Sequence, residues 1–159
     1  MNAEFGNSLM DSPRILCLDV GDRRIGVAVG DTGIALARPL TVIHRKGGRP
    51  DLDAVAQLAR EHNAERIVVG LPRSLDGTLG PQARKVQAFV AALKRHVDAP
   101  IEMWDEQFST AEAERLMAET GVRWEKRRGQ VDAIAAAVVL QSYLDSRRAA
   151  TSATHETEP

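Results

Sequence analysis

The chain has 159 residues, with 22 acidic against 21 basic side chains and a formal net charge of -1, a size that suits one ordinary domain. With 43% hydrophobic and 27% charged residues, it can build a core beneath a solvated surface, which excludes the disordered and collagen-like classes. No apolar run reaches the ~18 residues that span a bilayer, and the opening residues lack a basic start ahead of an apolar stretch. Cys17 has no second cysteine to pair with, so the expectation is a cytoplasmic protein with no membrane partner. A net charge near zero gives no global attraction to nucleic acid, and such binding must come from local clusters of Lys and Arg.

Residues 1–12 show no usable period and residues 152–159 are small and polar, so mobile tails are expected at 1–12 and 147–159 around one domain spanning 13–146. Within that body, Ile15 to Val20, Ile25 to Gly30 and about Ala35 to Ile43 are apolar segments separated by turns bearing Gly and Asp. They predict three strands paired as hairpins. After the loop His44 to Pro50, the apolar positions Leu52, Val55, Ala56 and Ala59 recur at helical spacing and predict a helix over 51–62.

From there strand and helix alternate, the pattern of parallel pairing. Arg66 to Gly70 is a short buried strand stopped at Leu71 and Pro72. Pro81 opens a helix with Val86, Phe89, Val90, Leu93 and Val97 on one face, and Pro100 to Trp104 returns as a strand. Ser109 and Glu112 form a capping box for a helix reaching about Thr120, ended by Gly121 and followed by a basic loop. The last helix, Val131 to Leu144, is apolar on nearly every face at first and should lie against the sheet. The fold class is therefore α/β. Three antiparallel strands followed by parallel ones make a five-stranded mixed sheet, with helices on both faces because only crossovers join parallel neighbours.

Three carboxylates sit at the edges of buried elements. Asp19 lies inside an apolar strand, where an ionised carboxylate is costly unless it reaches the open end of the sheet or meets a cation. Gly21 and Gly26 clear space around it. Glu106, beside Asp105, follows a predicted strand at the kind of end where ligand sites form. Asp132 opens the most apolar helix. Each residue also has an ordinary structural role open to it: a turn cap for Asp19, a solvated loop acid for Glu106, and a partner for the helix dipole for Asp132. Together they make a coherent metal site, since oxygen-only ligands select Mg²⁺ or Mn²⁺. Two such ions ~4 Å apart would hold a phosphodiester, activate the attacking water and stabilise the leaving 3′-oxygen.

Four segments carry a resemblance. Asp19-Val-Gly-Asp-Arg-Arg-Ile-Gly-Val-Ala28, Val69-Gly-Leu-Pro-Arg-Ser-Leu-Asp-Gly77, Asp105-Glu-Gln-Phe-Ser-Thr110 and Val131-Asp-Ala-Ile-Ala-Ala136, the last followed by Leu140-Gln-Ser-Tyr-Leu144, stand in this order along the body. In this the chain resembles the YqgF-type, RuvX-like Holliday junction resolvases, also described as pre-16S ribosomal RNA nucleases. The resemblance implies an RNase H-like fold and a metal-dependent nuclease with Asp19, Glu106 and Asp132 in its acidic metal-binding positions. It implies 5′-end processing of pre-16S rRNA in ribosome biogenesis, or junction cutting in DNA recombination and repair. The chain departs from the family at Gln107, where the family usually has Arg.

Candidate contacts to nucleic acid are Arg23 and Arg24 near Asp19; Arg73, with Arg84 and Lys85 on the following helix; and Lys126, Arg127 and Arg128 in the basic loop, where Trp124 offers a stacking surface. Solvated basic faces account for the same residues equally well. The loop Gly70 to Gly80 lacks the Gly-Lys-Ser/Thr of a phosphate-binding loop. The four histidines show no metal-ligand spacing, and Cys17 is expected to be a small core residue. Two other classes stay open: an ATP-binding actin-like module, which one lobe is too short to supply, and a catalytically silent adaptor, which Gln107 makes credible. Expected partners are structured RNA or branched DNA and the ribosome, with the chain a monomer or a homodimer.

Overall fold

The computed structural model describes residues 13–73, 76–106 and 130–156. Its strands are β1 (Arg14–Val20), β2 (Arg24–Asp31), β3 (Leu36–His44), β4 (Ala64–Pro72) and β5 (Ile101–Glu106), and its helices are α1 (Arg49–Glu61), α2 (Pro81–Leu93) and α3 (Val131–Glu156). One sheet runs in the order β3-β2-β1-β4-β5. β1 is antiparallel to β2, β2 to β3, and β4 is parallel to both β1 and β5. This is the mixed sheet expected from the alternating patterns. The carboxyl ends of β1, β4 and β5 are therefore neighbours.

Alternation along the central strands divides the core in two. Leu16, Leu18 and Val20 of β1, Ile25 and Val27 of β2, and Ile67, Val69 and Leu71 of β4 face α1 and α2, where Leu52, Val55, Val86, Phe89, Val90 and Leu93 meet them. Ile15 and Cys17 of β1, with Ala28 and Val68, face α3 and pack on Ala136, Ala137, Val139, Leu140, Tyr143 and Leu144. Cys17 is fully buried, as expected of a small core residue. Asp19 continues the parity of Ile15 and Cys17 and so belongs to the α3 face.

Small residues let α3 lie close. Gly26, Ala28 and Gly30 alternate along the α3 face of β2; a Cβ on Gly30 would meet Leu140 at 2.9 Å, and one on Gly26 would fall on the backbone carbonyl of Asp132. Farther along, Gln141 treats the start of β3 as a strand would: its Oε1 accepts from Ala37 N (2.9 Å) and its Nε2 donates to Ala35 O (2.9 Å). Ala35 sits in the left-handed region at φ 59°, and this bond holds a residue that costs about 1 kcal/mol in that conformation.

Two expectations need correction. The last helix does not stop at Leu144 but continues to Glu156, so residues 147–156, expected within a mobile tail, are helical. The added segment is polar, but it contains no Gly or Pro before Pro159, and Arg and Ala propagate a helix well. α2 ends at Leu93, which leaves Val97 in the following turn, its N-H donating to Leu93 O at 3.2 Å. The expected capping box at Ser109 and Glu112, its helix to Thr120, Gly121, and the tail at 1–12 lie outside the described residues.

The loop before α1 is locked by a residue the sequence did not single out. Asp51 is 1% exposed; its carboxylate accepts from Arg45 Nε (3.0 Å), Lys46 N (2.8 Å) and Gly47 N (3.0 Å). Burial alone would raise its pKa, but these donors outweigh it and hold the carboxyl below the usual range. Arg45 also donates from Nη1 to Gly21 O (2.8 Å) and lies over the Phe89 ring at 5.2 Å, tying the loop to the turn after β1. Replacing Asp51 with Ala removes the acceptor of the Arg45 side chain and of two backbone N-H groups, so urea denaturation should show a loss of about 2 kcal/mol with an unchanged m-value.

Candidate active site

Asp19 and Asp132 come together across the sheet. In the β1–β2 ladder Asp19 is the partner of Gly26, and the space that a Gly26 side chain would fill is taken by the first turn of α3. The missing Cβ thus brings the Asp132 backbone onto the residue that faces Asp19. Burial and then the negative charge of Asp132 push the Asp19 pKa from 3.8 up to about 6. The Asp132 carboxylate thus opposes the ionisation of Asp19, an electrostatic condition that a cation relieves.

Glu106 closes β5, its backbone paired with Pro72 of β4. Its position shares the parity of Glu102 and Trp104, two residues engaged with α3: Tyr143 Oη donates to Glu102 Oε1 (2.9 Å), and Trp104 meets the Tyr143 ring edge-on at 5.3 Å. The Glu106 side chain is outside the described residues. Among the described residues no group of three His, Cys, Asp or Glu is placed to hold a metal; what the structure brings together is the pair Asp19 and Asp132.

Several of the basic candidates already have partners. Arg24 Nε donates to Asp132 Oδ2 at 2.6 Å, Arg73 Nε lies 3.1 Å from Asp105 Oδ2, and Lys85 Nζ donates to Asp22 Oδ1 at 3.1 Å. Arg23 and Arg84 are exposed. Lys126, Arg127 and Arg128, with Trp124 and Gln107, fall outside the described residues. All three pairings escaped the sequence reading, because charge spacing along the chain carries no information about contacts across strands.

The turn after β1 is built to stay in place. Gly21 N donates to Arg24 O (2.9 Å), Arg45 N to Arg23 O (2.8 Å), and Gln82 Nε2 to Val20 O (3.2 Å). A rigid turn fixes Arg24 relative to Asp19, and the fit of α3 on Gly26 fixes Asp132 relative to both.

The profile of the RuvX family, described as Holliday junction resolvase, matches residues 13–146. The chain belongs to the RuvX family. A relative from Halothermothrix orenii, named "Putative pre-16S rRNA nuclease", is 44% identical over 132 residues, covering 83% of this chain and 94% of its own. One of the same name from Anaeromyxobacter dehalogenans is 46% identical over 134 residues, covering 84% and 98%. Among solved structures, the RuvX chain is similar in fold to Thermus thermophilus RuvC in complex with a Holliday junction substrate, at TM-score 0.55 and 16% identity over 86% of this chain and 96% of that one. It is similar as well to the fowlpox virus Holliday junction resolvase, at TM-score 0.54 and 14% identity over 84% and 99%. These likenesses confirm the expected RNase H-like architecture of a RuvX chain.

Two outcomes follow from the site. Gly26→Ala places a methyl on the Asp132 carbonyl and should destabilise the protein by at least about 2 kcal/mol in chemical denaturation. Because the folded pKa of Asp19 is raised, its stability contribution is complete below pH 3.8 and is lost as pH rises through about 6. Asp19→Asn removes that loss. In chelator-treated buffer, thermal melts should show the variant more stable than wild type by about 1–2 kcal/mol above about pH 7, with the gap closing in acid.

Proposed function

We propose that this RuvX-family protein is a nuclease dependent on Mg²⁺ or Mn²⁺ that hydrolyses phosphodiester bonds in structured nucleic acid, working in one domain over residues 13–146. The observation that carries this reading is the approach of Asp132 to Asp19 over Gly26, which sets two hard oxygen donors beside the open carboxyl ends of β1, β4 and β5. The donor set fits a divalent cation: carboxylate oxygens without thiolate or imidazole favour Mg²⁺ or Mn²⁺, and burial first, then the charge of Asp132, raises the Asp19 pKa, both effects that such an ion offsets. Asp19 and Asp132 would hold the cation, with Glu106, at the end of β5, as the third ligand.

When bound, divalent ions lower the pKa of the attacking water and stabilise the leaving 3′-oxygen. The chain's own part is to keep its carboxylates fixed and to offer phosphate contacts around them. Arg23, in the turn after β1, and Arg84, on α2, are exposed and are candidate phosphate contacts, with Arg24, Arg73, Lys85 and the basic residues Lys126, Arg127 and Arg128 as further candidates. Among the described residues no helix is long and apolar enough to cross a membrane, which suits work in the cytoplasm.

We propose processing of pre-16S rRNA as the physiological reaction, on the names borne by relatives of 44% and 46% identity; work at the 5′ end, with the ribosome as partner, is what the family resemblance implies. The family description favours a second reading, resolution of Holliday junctions, which needs two sites about a twofold axis. Incubation with precursor 16S RNA and with a four-way DNA junction, in parallel and with products mapped, separates them. Asp19→Asn and Asp132→Asn should each lower cleavage at least ~10³-fold with either metal, as expected from losing several kcal/mol of charge stabilisation. A folded variant with full turnover would overturn the assignment.

A further inference from the structure

Arg24 stands apart from the other paired cations because its partner is itself one of the proposed metal ligands. The Arg24 side chain is 54% exposed and that of Asp132 32% exposed, and their 2.6 Å contact joins the start of β2 to the first turn of α3. Arg24 and Gly26 share a face of β2, so the strand that admits the helix through its glycine also grips the helix's first carboxylate. Arg73 and Lys85 pair instead with Asp105 and Asp22, outside the proposed ligand set.

We propose that Arg24 is a tethered counter-cation of the metal site, which holds Asp132 Oδ2 and competes with the divalent ion for it. The proposal rests on the metal-site reading above. A guanidinium at Oδ2 takes up a donor oxygen and places a full positive charge where a second positive charge must approach. Arg24 is thus a positioning residue with a cost: it steadies Asp132 beside Asp19, and it must yield that oxygen to a divalent ion that binds there. A merely structural prop would do the reverse, and its removal would weaken metal binding. The sign of the effect distinguishes the two.

The test is direct titration of the purified, nucleic-acid-free protein with Mn²⁺, read by loss of the free-ion electron paramagnetic resonance signal, with circular dichroism melts to confirm folding. Half-exposed Arg24 can be replaced without opening the core. Arg24→Gln should bind Mn²⁺ roughly fivefold more tightly than wild type, in line with the strength of a partly exposed ion pair. Arg24→Lys, which keeps the charge, should stay near wild type. Binding by wild type with equal or weaker binding by Arg24→Gln would overturn the competition and leave the metal site standing, and a Lys variant as tight as the Gln variant would also overturn it. If neither wild type nor Arg24→Gln takes up Mn²⁺ at millimolar concentration, the metal-site reading falls and this one with it.

Discussion

The absence of a side chain at Gly26 decides what this fold can do. β2 presents Gly26, Ala28 and Gly30 to α3, and against the first of these the helix comes so near that its Asp132 carbonyl fills the place of a Cβ. Gly26 is also the ladder partner of Asp19. One close backbone contact therefore performs two tasks: it seats the most apolar helix of the chain on the sheet, and it sets that helix's acidic residue against the acid of β1. Burial of Ala136, Val139, Leu140 and Tyr143 drives the docking, and the electrostatic conflict at the other end of the helix is sustained by it.

Order elsewhere serves to hold that arrangement. The Asp51 clasp gathers the loop before α1, and Arg45 carries it on to Gly21 and Phe89. At the far end of α3, Gln141 closes the start of β3. Tyr143 accepts from Arg147 and donates to Glu102, which also receives Arg66 at 2.6 Å. The helix is thus pinned along its length to three strands by polar groups whose partners are fixed, and it has little freedom to slide. A site made from residues on different elements needs that rigidity more than it needs strong individual bonds.

Much of the architecture was legible because it is written in periodicity. The alternation in Ile15 to Val20 and Ile25 to Gly30, the buried run at Arg66 to Gly70, and the helical spacing of Leu52, Val55 and Ala59 each report a face turned to the core. The extension of α3 past Leu144 was hidden by polar composition, which resembles a tail although no helix breaker is present. At the site, residue type was informative and distance was not. Asp19 and Asp132 could be named as edge carboxylates, and the pattern Gly-Val-Ala-Val-Gly already held the device that joins them, but the meeting of β2 with α3 is a tertiary fact. The same holds for Arg24 on Asp132 and Arg73 on Asp105, pairs formed across elements with no trace in local spacing. Asp51 was missed because an acid in the first turn of a helix looks unremarkable until its three donors are seen.

The seat of α3 on Gly26 also has a consequence in time. β1 and β2 are made early in translation, whereas the helix that supplies Asp132 emerges after every strand of the sheet. A nascent chain carries Asp19 on its hairpin with no opposing acid until α3 docks. With Asp19 and Asp132 as its proposed metal ligands, a nuclease of this design is born disarmed beside the very ribosome that makes it.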